Sequence, residues 1–584
     1  MLKQEIQQYI SHFVPSDYAH RLMVEGRILA EGELPSQMIS RVVEEIASPE
    51  KDLGHTPAET QAFADDLLLQ LDQKRCILST PILTNAGRYP DRPLSACTIP
   101  PVDLQGDFTQ VRKLVDTFHQ HGMGTGFNLS EVEDPVSVLK YLNQVAVEGA
   151  ASGREDRPVG NMGVLSVYHP KVLEFIEVKS GDNRDERWIF NTSIDVSEEF
   201  MRAVITDQSY QLDNGIMVSA RKIFENICTS AFDCGDPGLV SIDRMNLDNP
   251  VPFLGQYVAT APCAEVGLVP GESCQFGYIN LAAFYENGEI DLPQLRYSTE
   301  VMVRALDNAL ELSIPRYAHQ QNSSMMSAKR KIGVGVCGLA DLLVKMDLPY
   351  SSPEARTLAL DLVTFINYYS KVASSDLART RGSFTAMHTV LGNRYYESPG
   401  FIENKYGDLE TQFITKSDWK LLGETIRQTG LLRNVSTIAL PPTGRSGLLI
   451  DASTGVEPHF SLVQPSGSLY ESFVRTLREY DLHQEDIVEH VLNTGSVHDM
   501  KSIPEHVKAL YQTALDISPH DHVLMVASLQ RGVDEAISKT INLAANSTPE
   551  DVKDIYLQAY RLGLKGIAIF RADSRSYQPR TLRA

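Results

Sequence analysis

Residues 1 to about 75 carry apolar side chains at the three- and four-residue spacing of amphipathic helices. Helical starts at small or acidic residues and prolines near the breaks reinforce this pattern. It predicts a small N-terminal helical domain, which we assign to residues 1–76. The clearest stretches are "SQMISRVVEEIASPEKD" and "AETQAFADDLLLQLDQK".

The pattern changes from about Ile77, where short apolar runs lie between Gly- and Pro-rich turns and alternate with helical stretches. One such stretch is "EARTLALDLVTFINYYSKVASSDLART". This alternation favours βα units around a parallel sheet or barrel. No repeat, low-complexity segment or obvious linker follows residue 80, so we predict one large α/β domain over residues 77–584.

Composition narrows the class of protein. Hydrophobic residues make up 42% and charged residues 22%, which is typical of a soluble globular chain. No run approaches the ~18 apolar residues that span a bilayer, and the N-terminus lacks the apolar centre of a signal peptide. The net charge of −22 argues against a nucleic-acid backbone as partner. We therefore expect a cytoplasmic protein with no membrane or nucleic-acid partner.

The chain has seven cysteines, an odd and small number for 584 residues, which argues against a secreted disulfide framework. There is no C-x-x-C pair. Cys228 and Cys234 are the nearest neighbours, but no histidine cluster accompanies them. We interpret both as ordinary buried thiols and predict no metal site.

Three other cysteines lie in contexts that suggest redox chemistry. "YVATAPCAEVGL" places Cys263 two residues before Glu265, and in a strand these side chains would point to the same face. Cys97 ends the loop-rich "PDRPLSAC", and Cys274 lies in "GESCQFGYINL". A single buried cysteine is usually a small hydrophobe. Three in polar, glycine-rich surroundings suggest two thiols that can close into a disulfide and a third that acts as nucleophile or hydrogen-atom abstractor.

Glycine-rich segments offer candidate ligand contacts. Residues 121–130 ("HGMGTGFNLS") and 153–163 ("GREDRPVGNMG") have glycines where the backbone turns sharply or approaches a ligand, and a tight βα turn explains either segment equally well. "PPTGRSGLLI" supplies backbone N–H groups, the hydroxyls of Thr443 and Ser446 and the guanidinium of Arg445, which suit a phosphate if a helix follows. It lacks the Lys-Ser/Thr ending of a Walker loop, and a structural turn is the alternative.

These segments, taken in order from about Ser79 to about Arg575, resemble the large catalytic subunit of ribonucleotide reductases. The resemblance implies a ten-stranded α/β barrel made of two antiparallel halves, with a central finger loop that carries a radical cysteine. The matching segments are "STPILTNAG…LSACTIP", "GMGTGFNLS", "GREDRPVGNMGVLSVYHP", "RWIFNTSIDVSEEFM", "GDPGLVSIDRMN", "APCAEVGL", "ESCQFGYINLAAF", "KIGVGVCGLADLL", "PPTGRSG…STGVEPHF" and "GLKGIAIFRADSR".

The resemblance also implies roles for the reacting residues. Cys263 would lie at the finger-loop tip as a transient thiyl radical that removes a hydrogen atom from C3′ of the ribose. Glu265 would be the general base for the 3′-OH. Cys97 and Cys274 would supply the reducing electrons and end as a disulfide. The implied activity is the reduction of ribonucleotides, most commonly diphosphates, to 2′-deoxyribonucleotides.

Binding residues follow from the same resemblance. A loop over residues 180–190 would link a deoxynucleotide or ATP effector to substrate choice, through Asp182, Asn183, Arg184 and Arg187. The family usually has Asn two residues before the radical cysteine. This chain has Ala261 there, and loss of the amide costs about 1–3 kcal/mol unless a residue such as Asn191 compensates. The implied substrate-binding set is Thr80, Ser95, Ala96, Ala261, Thr443, Gly444, Arg445 and Ser446.

Residues near the C-terminal end of the barrel indicate which radical source the chain uses. Relatives that use a ferritin-like metallo-radical β subunit have adjacent tyrosines there, whereas this chain has Ile569 and Phe570. This difference, with the wording of "LSAC" and "GLKGIAIFR", favours adenosylcobalamin used directly. A metal-containing partner subunit is the alternative, since Tyr577 lies nearby.

Other expected partners follow from what the chain carries. No C-terminal cysteine pair follows "GIAIFRADSRSYQPRTLRA", so we expect an external thiol reductant such as thioredoxin or glutaredoxin. No N-terminal ATP-cone signature is evident, and a homodimer is expected. Two other classes stay open: a nucleotide-binding homologue without turnover, and a radical enzyme for a modified nucleotide. Retention of the three cysteines and Glu265 argues against the first.

We expect Cys263→Ala to abolish deoxynucleotide formation while nucleotide binding persists, because the variant lacks the hydrogen-abstracting thiol. Cys97→Ser should permit at most abortive turnover. Product analysis and equilibrium nucleotide binding on the same preparations check both expectations. Wild-type activity in Cys263→Ala would overturn the assignment of the radical to this residue.

Overall fold

In a computed structural model of the chain, residues 10–151, 159–183, 186–464 and 466–574 are described. The described part begins with three α-helices: α1 (Asp17–Glu25), α2 (Pro35–Ala47) and α3 (Pro57–Asp72). Their starts follow from local chemistry. The hydroxyl of Thr56 accepts the N–H of Glu59 while the Glu59 carboxylate accepts the N–H of Thr56, and Pro57 occupies the first turn of α3. The helical prediction for this region is confirmed.

The main sheet contains ten strands. Five of them, β2, β3, β4, β5 and β8, run parallel to one another in that order. A second group of four strands, β11, β14, β15 and β16, runs antiparallel to the first group and joins it where β11 pairs with β2 and where β16 pairs with β8. β1 pairs antiparallel with β11 and so runs in the direction of the first group. The ten strands are β1 (Cys76–Leu78), β2 (Cys97–Thr98), β3 (Gly124–Asn128), β4 (Asn161–Ser166), β5 (Phe190–Asp195), β8 (Gly238–Val240), β11 (Ser273–Asn280), β14 (Ile332–Cys337), β15 (Thr540–Leu543) and β16 (Gly566–Arg571).

The second group closes the sheet into a barrel. β14 pairs parallel with β11, and β15 pairs parallel with β16. Between them, isolated bridges join Val334 to Ile438 and Leu440 to Ile537. The expected α/β barrel of two antiparallel halves is confirmed. The remaining strands form three hairpins: β6 (Ser209–Gln211) with β7 (Met217–Ser219), β9 (Ala259–Thr260) with β10 (Gly267–Leu268), and β12 (Tyr285–Glu286) with β13 (Glu289–Ile290).

Helices surround the barrel, and the predicted long helix is confirmed as α14. One continuous apolar core extends from Phe13 to Ile569, so the first helices pack against the barrel, and their division as a domain at residue 76 stays a prediction. The helices are α4 (Thr80–Asn85), α5 (Phe108–Gln120), α6 (Pro135–Ala151), α7 (Val172–Ile176), α8 (Glu198–Ile205), α9 (Ala220–Cys234), α10 (Ile242–Leu247), α11 (Leu292–Ser313), α12 (Gln320–Lys329), α13 (Leu339–Lys345), α14 (Pro353–Arg381), α15 (Phe401–Tyr406), α16 (Lys416–Thr429), α17 (Arg445–Leu449), α18 (Glu471–Glu479), α19 (Glu485–Thr494), α20 (Glu505–Leu510), α21 (Pro519–Gln530) and α22 (Pro549–Arg561).

A buried ion cluster fastens the helices of the second half. Asp307 on α11 contacts Arg330 at 2.8 Å, Arg381 on α14 at 2.9 Å and Arg433 at 3.2 Å. Burial alone would raise the pKa of Asp307, but the guanidinium groups outweigh it and hold that pKa below its usual range. Along the described parts of the chain, no helix combines the length and apolar character needed to cross a membrane.

The β9–β10 hairpin lies against bare backbone on β3. A Cβ added to Gly126 would lie 2.1 Å from the carbonyl oxygen of Thr260, and one on Gly124 would lie 2.8 Å from Cγ of Pro262. Of the three glycines in residues 121–130, only Gly122 lies in a turn, with φ +76°. Neither a tight turn nor a ligand therefore accounts for Gly124 and Gly126, which instead allow two backbones to approach closely.

We expect Gly126→Ala to displace the hairpin, because its methyl group would overlap the Thr260 carbonyl at 2.1 Å. The variant should lose activity and show faster amide exchange over residues 257–268. Gly106→Ala is the matched control, since its methyl would meet only the side chain of Asp103. Equal exchange in the two variants would contradict the expectation.

Candidate active site

The tip of the β9–β10 hairpin is a turn, and this corrects one expectation. The N–H of Ala264 donates to the carbonyl of Ala261 at 3.0 Å, and Ala264 has φ +62°, in the left-handed region. The chain therefore reverses between Cys263 and Glu265. Cys263 is exposed and Glu265 is buried, so the prediction that both face one side of a strand is wrong.

Hydrogen bonds fix the peptide group that precedes Cys263. Its N–H donates to Oε2 of Glu265 at 3.1 Å. The carbonyl oxygen of Pro262 accepts from Nδ2 of Asn191 at 2.8 Å. The other six cysteines are buried, so Cys263 presents the accessible thiol of the site.

Glu265 lies in a setting that suits a base at neutral pH. Burial raises the pKa of Glu265 to about 7, and the N–H groups of Glu265 and Cys263 moderate the rise. Its main-chain carbonyl accepts the N–H of Ala536 at 2.9 Å. A carboxylate that titrates near pH 7 can both accept and release a proton under ordinary conditions.

The two cysteines predicted to form the redox pair face each other across neighbouring strands. Cys97 on β2 is the register partner of Cys274 on β11. Facing residues of antiparallel strands have Cα atoms about 4.5–5.5 Å apart, which is within the range that a disulfide bridges. Burial raises the pKa of the Cys274 thiol well above its ordinary value, and Cys97 adds to the rise.

β3 links the Cys97–Cys274 pair to the hairpin that carries Cys263. Cys97 is in register with Gly124, and the ring of Pro262 packs on Gly124. Pro262 precedes Cys263 in the chain. The structure therefore brings together Cys97, Cys274 and Cys263, which sequence alone could not do.

The glycine-rich loop at Thr443 meets the first helix of the barrel. Gly444 has φ +49°, and the N–H of Ser446 returns to the carbonyl of Thr443 at 2.9 Å. The Thr80 hydroxyl lies 3.2 Å from that of Ser446. The expected helix after the loop is present as α17, with five residues. These contacts join Thr80, Thr443, Gly444 and Ser446 in one place, and phosphate binding there stays a prediction.

Arg445 and the loop behind it contact the N-terminal helices. A Cβ on Gly26, just after α1, would lie 2.9 Å from Nη1 of Arg445. At the end of the loop, the Asp451 carboxylate accepts from the hydroxyl of Ser16 and from Nζ of Lys74, the latter at 2.6 Å. The guanidinium therefore lies beside the carbonyl end of α1, which carries partial negative charge.

The other candidate binding residues are placed as follows. The Ser95 hydroxyl is buried, 2.5 Å from the Tyr317 hydroxyl and 2.7 Å from Nε2 of Gln275, so it belongs to an internal network. Ala96 is half-buried and donates its N–H to the Cys274 carbonyl. Ala261 is fully buried. Their roles toward a substrate stay predictions.

The proposed effector segment is only partly described. Asn183 accepts the Trp188 indole N–H through its carbonyl at 3.3 Å, and the Arg187 carbonyl accepts from Asn143 at 3.1 Å. Arg184 and the side chain of Asp182 lie outside the described residues. No contact in the segment identifies an effector, so this assignment stays a prediction.

A buried charge cluster at the base of the hairpin was not predicted from the sequence. Nζ of Lys331 donates to the Gly267 carbonyl at 2.8 Å and contacts Glu535 at 2.9 Å and Glu272 at 3.3 Å. Burial opposes its charge, but these carboxylates hold the pKa of Lys331 well above its usual range. The only sequence signal was "AKRKIGVGVC", with basic residues directly before an apolar strand. Over the described ranges, no three His, Cys, Asp or Glu residues could hold a metal ion.

The barrel carries a cysteine at the tip of the β9–β10 hairpin and a facing cysteine pair in its wall, and three thiols placed in this way suit redox chemistry. The family model described as "Ribonucleotide reductase, barrel domain" matches residues 108–570. The chain therefore belongs to the ribonucleotide reductase family.

Curated relatives agree with this membership. A vitamin B12-dependent ribonucleoside-diphosphate reductase of Mycobacterium tuberculosis (strain CDC 1551 / Oshkosh) is 30% identical over 575 residues, covering 94% of this chain and 77% of that protein. A protein of the same name from Thermoplasma acidophilum is 32% identical over 530 residues, covering 86% of this chain and 64% of its own length.

A solved structure agrees in fold. The Actinobacillus ureae class Id ribonucleotide reductase alpha subunit superimposes with a TM-score of 0.76, covering 97% of this chain and 99% of that one. At 18% identity, this likeness concerns the barrel architecture alone.

We expect the Glu265 carboxylate to titrate near pH 7, because burial raises its pKa to about 7. Infrared difference spectra between the wild type and Glu265→Gln, recorded from pH 4 to 9, isolate this group. Glu59 provides the control through Glu59→Gln, since its hydrogen bonds at the start of α3 hold its pKa below the usual range. A Glu265 midpoint as low as that of Glu59 would contradict the expectation.

Proposed function

We propose that this chain reduces ribonucleoside diphosphates to 2′-deoxyribonucleotides by thiyl-radical chemistry. The observation that carries the proposal is the convergence of the exposed Cys263 thiol, the buried Glu265 carboxylate and the facing Cys97 and Cys274 thiols. The names of the curated relatives support the reaction and the diphosphate substrate.

Each residue of this set has a defined part in the reaction. Cys263, as a thiyl radical, removes the hydrogen atom from C3′ of the ribose and later returns it. Glu265 accepts the proton of the 3′-OH, and the 2′-OH leaves as water. Cys97 and Cys274 give two electrons and two protons and become a disulfide, so one C–OH bond is exchanged for C–H at their expense.

Substrate phosphates are proposed to bind at the loop where Thr443, Ser446 and Thr80 meet. The loop offers hydroxyl groups and backbone N–H groups near the start of α17. Arg445 lies at its rim, shared with the carbonyl end of α1.

Adenosylcobalamin is the proposed radical source, and small residues of β16 lie beside the turn that carries Cys263. A Cβ on Gly566 of β16 would lie 3.4 Å from Cβ of Ala264, and Ala568, on the same face of β16, is exposed. This surface of small residues would receive the adenosyl group. When bound, the cofactor supplies an organic radical by homolysis of its cobalt–carbon bond.

The alternative radical source is a metallo-radical partner subunit, and it is not favoured. The first curated relatives are named as vitamin B12-dependent proteins. Ile569 is buried and Phe570 is half-buried on β16, and neither has a phenolic proton to lose. Tyr577 lies outside the described residues.

Further partners complete the proposal. An external dithiol carrier such as thioredoxin or glutaredoxin would reduce the Cys97–Cys274 disulfide. A deoxynucleotide or ATP effector and a homodimeric assembly follow from the family resemblance. A cytoplasmic location suits a chain that works through thiols, because that compartment keeps thiols reduced.

The test is an anaerobic assay of the purified chain with a ribonucleoside diphosphate, dithiothreitol and an effector, with and without adenosylcobalamin. We expect deoxynucleotide only when the cofactor is present, and none from Cys263→Ala. Cys228→Ala is the matched control, since Cys228 is a buried thiol of α9 with no part in the proposed chemistry. Product without cofactor would overturn the proposed radical source, and no product under either condition would overturn turnover by this chain with adenosylcobalamin alone and favour the partner subunit.

A further inference from the structure

The planar peptide group between Pro262 and Cys263 is held at both ends by hydrogen bonds to side chains. Asn191 donates to its carbonyl oxygen, that of Pro262, at 2.8 Å, and Glu265 accepts from its N–H at 3.1 Å. We infer that Asn191 is a positioning residue that keeps the Cys263 thiol in place while Glu265 changes its protonation state. The inference rests on the proposed function, in which Glu265 takes up a proton.

The two restraints respond differently to the reaction. A hydrogen bond to an ionised carboxylate is about twice as strong as one to a neutral acceptor. The bond from Cys263 N–H to Glu265 therefore weakens when Glu265 is protonated, which is before the thiol has returned its hydrogen atom to C3′. The Asn191 amide does not titrate, so its bond to Pro262 persists.

The backbone around Asn191 is itself firmly held. Asn191 is the second residue of β5. The Phe190 carbonyl accepts from Nζ of Lys179, and the Thr192 N–H donates to Oδ1 of Asp236 at 2.9 Å. Lys179 and Asp236 form an ion pair at 3.0 Å with little exposure. One ion pair thus clamps both neighbours of Asn191, and the amide reaches the hairpin from a rigid strand.

Asn191 also supplies the tip with an amide that the hairpin itself does not carry. Ala261 offers only a fully buried methyl group. Asn191 is exposed, as is Cys263, and its amide reaches the carbonyl of the residue before Cys263. In this chain the amide at the tip therefore comes from the barrel wall.

Charged groups near Glu265 come from the segment that bonds to its backbone. Ala536 donates to the Glu265 carbonyl and follows Glu535, whose own carbonyl accepts from Nζ of Lys565 at 2.5 Å. Substitution of Asn191 leaves these groups unchanged. A shift in the titration of Glu265 in such a variant therefore reports on the Pro262–Cys263 peptide.

The test compares Asn191→Leu, which removes the amide at similar size, with Asn191→Gln, which keeps it. Asn246→Leu is the matched control, because Asn246 bonds both the N–H and the carbonyl of Tyr257 at the base of the same hairpin. Hydrogen exchange of residues 257–268 is measured by mass spectrometry, the Glu265 titration by infrared difference spectra, and the pH profile of turnover with adenosylcobalamin.

In Asn191→Leu we expect exchange at the tip to rise about tenfold. The Glu265 midpoint and the acid limb of kcat should both move to higher pH, because the N–H that stabilises the carboxylate is no longer held. kcat should fall about tenfold with KM within about twofold. Asn191→Gln should restore part of each property. Asn246→Leu should loosen the base of the hairpin without moving the Glu265 midpoint.

Unchanged exchange at the tip and an unchanged Glu265 midpoint in Asn191→Leu would overturn the inference. An equal shift of the midpoint in Asn246→Leu would also overturn it, since the effect would then be general loosening. Exchange and titration need no turnover. If the wild type forms no deoxynucleotide, the proposed function fails, and these two measurements still decide whether Asn191 positions the tip.

Discussion

Close contact between the backbone of the β9–β10 hairpin and the bare backbone of β3 is the constraint on which the rest of the site depends. Thr260 and Pro262 lie where the side chains of Gly126 and Gly124 would otherwise be. The same strand is in register with Cys97, so the contact sets the separation between the hairpin tip and the redox pair. In the proposed reaction the hydrogen-abstracting thiol and the reducing pair act on one ribose, so their separation must be short and constant, and the close backbone contact fixes it.

Buried charge supports this arrangement from below. Lys331 joins the hairpin base at Gly267, the start of β11 at Glu272, and the segment at Glu535 whose neighbour Ala536 bonds to Glu265. A buried cation is stable only when carboxylates and carbonyls compensate its lost hydration. The hairpin with Cys263 and Glu265, the strand with Cys274 and the segment that bonds to the Glu265 backbone are therefore fixed by a common partner, which has no part in the proposed chemistry.

The sequence predicted the fold class because its elements differ in period, and the long helices α3 and α14 show this most clearly. It also singled out Cys263 and Cys274, which lie in polar, glycine-rich contexts, and their roles stay predictions. It could not predict the turn at Ala264, because an alanine in the left-handed region carries no local signal and costs about 1 kcal/mol that tertiary contacts must offset. It missed Lys331 for a similar reason: lysine is normally exposed, and only distant carboxylates make its burial possible.

The glycine-rich loop at Thr443 can reach its folded position only late in synthesis. Its far end at Asp451 is held by Ser16 and Lys74, and Ser446 contacts Thr80. These contacts join residues separated by 435, 377 and 366 positions, so they form late and carry a high loop-closure entropy. On the ribosome, more than two thirds of the chain must be synthesised before the loop residues that contact the N-terminal segments exist. The contacts that hold this loop therefore cannot form, or stabilise the nascent protein, until the second half of the barrel has been made.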